Sequence, residues 1–130
     1  MSYGGGYLSA PNIVLMGSGP ATALPFLASL MAWGRSGLAA RVEHGMAQAA
    51  ELVELVSSDE RFELWGQPTA GVVVWRPRGV DLVGLRRRLA EGWVAIVEVD
   101  GEQWLRCVPA NLSADVHSLF SQTVAVLEHA

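Results

Sequence analysis

The residues of this chain best equipped for chemistry are its arginines, because nothing shares their work: 130 residues include nine arginines and no lysine. A lysine amine, and with it a lysine Schiff base to a carbonyl compound, is therefore excluded for these residues acting alone. Arg106 has the setting of a binding residue. It lies in Trp104-Leu105-Arg106-Cys107-Val108, where a period of two puts it on the side of Trp104 and Val108, away from Leu105 and Cys107. A guanidinium there can take a carboxylate through two hydrogen bonds. It can equally snorkel, or pair with an acid on the sheet surface, and the pattern leaves both readings open.

Ser18 stands between Gly17 and Gly19, just ahead of an expected helix start. Its hydroxyl, with nearby backbone N–H groups, could meet a phosphate; the same arrangement is ordinary helix capping. Tyr3 and Tyr7 flank Gly4-Gly5-Gly6. They either reach across an interface into a partner's pocket or belong to a flexible terminus. Arg35 reads as a cap or an interface ion pair. Cys107 is the single cysteine, so it makes no intrachain disulfide and reads as a buried small hydrophobe. His44, His117 and His129 lack metal-ligand spacing.

The composition narrows the partners. Half the residues are hydrophobic (51%) and the net charge is −4, which suits a packed core rather than disorder. Arg86, Arg87 and Arg88 are adjacent, so on a helix they point three ways and form no stripe for a nucleic-acid backbone. Neither nucleic acid nor an anionic membrane is the expected partner. Ala21–Trp33 is too short to span a bilayer, and the start has no basic stretch leading into an apolar run. A cytoplasmic protein is expected.

The elements that must position these residues follow from periodicity. Residues 1–19 form a glycine-rich arm. Residues 20–37 hold an apolar helix, apolar on nearly every side and so in need of cover, ended by the turn Gly34-Arg35-Ser36-Gly37. Residues 38–130 form the main domain. Its first helix runs from Leu38 to Ser57, with Leu38, Val42, Met46, Ala49, Val53 and Val56 as the apolar stripe. Gly45 is a weakness or a point of close packing. Phe62–Trp65 and Gly71–Arg76 read as strands, and Asp81 caps a helix that buries Leu82, Leu85 and Leu89. Trp93–Val99 and Gln103–Val108 form a hairpin across Asp100-Gly101. Ser113 or Asp115 opens a last helix with Val116, Leu119, Phe120, Val124 and Leu127 inward. Trp65, Trp75, Trp93 and Trp104 read as core or interface aromatics. The order gives an α+β fold: a small antiparallel or mixed sheet with helices on one face.

This layout resembles the C-terminal portion of the group II pyridoxal-phosphate-dependent amino-acid decarboxylases, of fold type I. The resemblance is carried by Met16-Gly17-Ser18-Gly19, Ala23–Trp33, Gly34-Arg35-Ser36-Gly37-Leu38, Asp59–Leu64, Val72–Pro77, Trp104–Val108, Asn111 and Ser113–Val116. It spans roughly residues 15–128. It implies a large domain elsewhere, holding the cofactor and the lysine. The family often has an arginine after the serine of the Gly17-Ser18-Gly19 motif, where this chain has Gly19.

The resemblance makes the chain a small subunit of a split decarboxylase. It would pair with a separate lysine-bearing large subunit, in a homo- or hetero-oligomer, and bind pyridoxal phosphate only with that partner. Gly17, Ser18 and Gly19 are then the cofactor-contacting residues, and Arg106 and Tyr7 the substrate-contacting ones. No residue of the chain is itself catalytic. The alternative is a non-catalytic interaction or regulatory domain derived from the same fold.

Overall fold

The computed structural model describes residues 23–90 and 93–129. The glycine-rich arm, Tyr3, Tyr7, Gly17, Ser18, Gly19 and the expected helix start near Pro20 lie outside the described residues. The chain divides into two compact units, Met1–Ala39 and Ala40–Ala130.

Helix α1 runs Ala23–Ser57 and contributes to both units. The expected turn over residues 34–37 is reduced to one non-helical residue, Gly34, at φ 63° and ψ 180°. Ser36 and Gly37 are already helical, because a single glycine absorbs the change of direction. In the first unit, Leu24, Phe26, Leu27, Leu30, Met31 and Trp33 are all exposed, so the apolar character of this segment stands without cover among the described residues.

The second unit contains β1 (Phe62–Leu64), β2 (Val73–Pro77), α2 (Leu82–Arg88), β3 (Val94–Val99), β4 (Glu102–Cys107) and α3 (Val116–Glu128). The strands form one antiparallel sheet in the order β1-β2-β4-β3. Val73 and Trp75 of β2, Val94 of β3, and Leu105 and Cys107 of β4 point into the core. There they meet Leu52 and Val56 of α1, Leu82 and Leu85 of α2, and Val116 and Leu119 of α3. The core thus lies on one face of the sheet, under the helices.

The apolar stripe of α1 agrees with the sequence expectation only in its second half: Ala49 and Val56 are buried and Val53 packs against the core, joined by Gly45 and Leu52, whereas Val42 is 65% and Met46 44% exposed. The helix is apolar on two sides, and periodicity alone does not say which side meets the sheet. Close approach decides it. A Cβ on Gly45 would come within 3.4 Å of Ala110 Cα and Pro109 O, so glycine lets the helix pack against the segment after β4.

Local signals set the remaining ends. Asp81 accepts hydrogen bonds from Val83 N and Gly84 N, at 3.1 and 3.0 Å, to open α2. Asp115 accepts from Ser118 N at 2.9 Å to open α3. Both satisfy N–H groups that a helix start leaves unpaired. The β3–β4 turn has Asp100 at φ 53° and Gly101 at φ 79°, the two left-handed positions of a type I′ hairpin. His117 Nε2 lies 2.6 Å from Glu51 Oε1 and ties α3 to α1. Within Arg86–Arg88, Arg86 is not merely solvated: its Nε donates to Val94 O at 2.7 Å.

Candidate functional site: the open face of the sheet

The strand period sends one set of side chains away from the helices. By register these are Glu63 of β1, Val74 and Arg76 of β2, Ala95, Val97 and Val99 of β3, and Glu102, Trp104 and Arg106 of β4. Their centre is an ion-pair network built around Arg76. Its Nε donates to Glu63 Oε1 at 2.6 Å, and a terminal nitrogen lies 2.9 Å from Glu102 Oε2. Arg78 reaches the other oxygen of Glu63 at 2.8 Å. The Arg76 guanidinium also lies 4.0 Å from the centre of the Trp104 ring, within cation–π range. The Glu63 hydrogen bond is the chief reason the guanidinium's pKa is raised. A cleft of about 600 Å³ opens beside this network, lined in part by Glu63, Arg76, Arg78, Asp81, Glu102 and Gln103.

Arg106 lies on the same face. Its cross-strand neighbours are Val74 and Ala95, neither of which offers a partner. It is exposed, and among the described residues no ion pair or hydrogen bond engages its guanidinium. Of the sequence-derived site residues, it is the one within the described structure. Gly17, Ser18, Gly19 and Tyr7 lie outside the described residues. The sequence reading missed Glu63, Arg76 and Glu102. Their period of two was legible, but the pairing that assembles them was not.

Cys107 points the other way, into the core. Trp75 Nε1 lies 3.2 Å from its sulfur, and burial pushes the thiol pKa up to about 12. A thiol held protonated at neutral pH is a structural group, not a nucleophile. Among the described residues no cluster of three or more His, Cys, Asp or Glu side chains could hold a metal ion. No described helix is long and apolar enough to cross a membrane. Another groove of about 300 Å³, lined by Arg41, Val42, Gly45, Met46, Val72 and Val108 among others, is almost wholly apolar.

A four-stranded antiparallel sheet with helices packed on one face defines a small α+β domain. No protein-family model matches the chain, and no curated protein sequence matches it. Solved structures do. The glutamate decarboxylase domain of a diaminobutyrate-pyruvate transaminase and L-2,4-diaminobutyrate decarboxylase from Vibrio parahaemolyticus is similar with TM-score 0.65 and 22% identity, over 83% of this chain and 26% of that one. Catharanthus roseus tryptophan decarboxylase matches with TM-score 0.65 and 19% identity, over the same shares of both chains. A Burkholderia pseudomallei sphingosine-1-phosphate lyase matches with TM-score 0.60 and 18% identity, over 79% of this chain and 24% of that one. The chain therefore spans about a quarter of the length of these proteins and shares the fold of that part of them.

The exposed guanidinium of Arg106 has the geometry to take a carboxylate through two hydrogen bonds, and the sequence holds no lysine for a Schiff base.

Proposed function

We propose that this chain is the small-domain component of a pyridoxal-phosphate-dependent amino-acid decarboxylase whose lysine is carried by a separate large subunit. What supports this reading is the match over 83% of the chain to about a quarter of known decarboxylases, in a sequence without lysine. The large subunit would bind the cofactor, which supplies the electron sink for loss of carbon dioxide. The small chain would complete the fold and offer Arg106 to the substrate carboxylate. Tyr7 is proposed as a second substrate contact. Gly17, Ser18 and Gly19 are proposed to meet the cofactor phosphate where the two chains join.

The experiment is co-expression with a lysine-bearing decarboxylase-like chain encoded beside this one. The expected result is a purified complex with visible cofactor absorbance that releases carbon dioxide from an amino acid. Arg106→Ala is expected to raise KM strongly in that complex while leaving the small chain's own melting temperature nearly unchanged. If the complex forms and decarboxylates equally well with Arg106→Ala, the carboxylate assignment is wrong. If the chain forms only a homo-oligomer and binds no such partner, it is instead a non-catalytic interaction domain.

A further inference from the structure

Strand β3 is an edge of the sheet: β4 lies on one side of it and no described strand on the other. The β3–β4 hairpin fixes which backbone groups this leaves over. Val99 pairs with Glu102 across the Asp100-Gly101 turn, so Val99, Val97 and Ala95 exchange their hydrogen bonds with β4. Val94, Ile96 and Glu98 turn theirs to the open edge. Arg86 bears this parity out, because its Nε donates to the outward Val94 O at 2.7 Å. That contact closes the start of the edge. Farther along, the outward N–H and C=O groups of Ile96 and Glu98 meet no partner among the described residues. Natural edges are usually blunted by a proline, a lysine or a bulge. Here Val94-Ala95-Ile96-Val97-Glu98-Val99 pairs without interruption and carries a single charge, Glu98. The side chains of Ala95, Val97 and Val99 on the open face are apolar, where a solvated face is usually polar.

We propose that β3 pairs with β3 of a second copy of this chain, antiparallel about a twofold axis at Val97, so that one sheet runs through both copies. Self-complementarity selects both the occupant and the register. With the axis at Val97, Ile96 exchanges both backbone hydrogen bonds with Glu98 of the second copy, and Glu98 does the same with Ile96 of that copy. The free groups of both residues are then used. On the open face Val97 meets Val97 and Ala95 meets Val99, an unbroken ladder of apolar cross-strand pairs. An axis at Glu98 would set two carboxylates directly opposite each other, which is destabilising. An axis at Ile96 would pair Glu98 with Val94, whose carbonyl Arg86 already holds. A twofold contact uses the same surface on both copies, and this edge matches itself in the Val97 register. The contact lies at the rim of the sheet, leaves both faces as they are, and does not depend on the two-chain reading above. Strand pairing alone buries less than a standard interface, so the dimer is expected to be weak and concentration-dependent.

The test is sedimentation of the chain over a dilution series, with variants of β3. The wild-type chain is expected to pass from monomer to dimer as its concentration rises. Glu98→Pro removes an outward N–H that the chain's own ladder does not use, and is expected to abolish the dimer while leaving the monomer's melting temperature nearly unchanged. Val97→Cys places two thiols at a non-hydrogen-bonded pair, with Cα atoms about 4.5 Å apart, within disulfide reach. It is expected to give a covalent dimer under mild oxidation. Val99→Cys, which this register sets opposite Ala95, is not. Cys107 is buried and stays out of the reaction. A wild-type chain that remains monomeric at every concentration overturns the inference. So does a dimer that Glu98→Pro leaves intact, which would place the contact on another surface, such as the exposed apolar side chains of α1. Linkage through Val99→Cys instead of Val97→Cys overturns the pairing. If Glu98→Pro does not fold, the two cysteine variants still decide.

Discussion

The guanidinium of Arg76 lies 4.0 Å from the centre of the Trp104 ring, on neighbouring strands β2 and β4. One side chain thereby joins a cation–π contact to hydrogen bonds with Glu63 and Glu102. The pairing holds the most buried aromatic of the open face in place, and the first prediction follows from it. Arg76→Ala lowers the melting temperature and shifts Trp104 emission to the red as the ring becomes wet. Arg76→Lys keeps the charge but not the planar, forked geometry, and is expected to recover only part of both effects. Thermal melts followed by fluorescence separate the three proteins, and a Lys variant indistinguishable from wild type would show that charge alone holds the ring.

The choice of face on α1 can be checked with two truncations. Leu52 is fully buried, and Val42 is 65% exposed. Leu52→Ala is expected to cost about 2–5 kcal/mol, and Val42→Ala less than about 0.5 kcal/mol, in urea unfolding of the isolated chain. Equal costs would mean that Val42 belongs to the core, as helical spacing alone suggests.

Cys107 makes stability fall at alkaline pH. Its thiol is raised from the ordinary 9.0 to about 12 by burial. Between those values the unfolded chain releases this proton and the folded chain keeps it, so the unfolded state is favoured as pH rises. The contribution is intact below about pH 9 and falls by up to about 1.4 kcal/mol per pH unit until about pH 12. Cys107→Val removes that slope while keeping an apolar side chain in place. The native thiol is also expected to resist thiol reagents at neutral pH and to react on unfolding.

Two local devices carry measurable stability. Asp115→Ala removes the acceptor for Ser118 N and is expected to cost about 1 kcal/mol. Gly101→Ala places a Cβ at φ 79°, with nothing within 4 Å to clash against. Its cost of about 1–2 kcal/mol is therefore purely conformational. Denaturant midpoints of both variants test these values, and a neutral Gly101→Ala would mean that the hairpin adopts another turn.

Much of the fold was legible because its signals are local. Asp81 and Asp115 cap the helices they precede. Asp100-Gly101 turns the hairpin it was expected to turn. Trp75 is buried among alternating apolar residues. The last helix buries Val116 and Leu119 as its spacing requires, and Thr123 joins them by donating from Oγ1 to Leu119 O at 2.9 Å, an internal bond that composition does not advertise. Trp65 went the other way: it is exposed, with its Nε1–H 3.4 Å from Asp100 Oδ2. The open-face network was not legible, since Glu63 and Arg76 are 13 residues apart and Arg76 and Gln103 are 27 apart.

By itself, the sequence determined that there is no lysine to bind a cofactor covalently, that Asp81 and Asp115 open helices and Asp100-Gly101 turns a hairpin, and that Arg106 leaves the strand on the side opposite Leu105 and Cys107. These properties reside in a residue's type or in its neighbours within a turn or a pleat. Only the tertiary structure decided that β4 lies between β2 and β3, that Gly45 rather than Val42 faces the core side of α1, and that Arg76 closes over Trp104. Each of these depends on which distant segments pair and how closely they approach. Hydrophobic burial and backbone hydrogen bonding settle that for the chain as a whole.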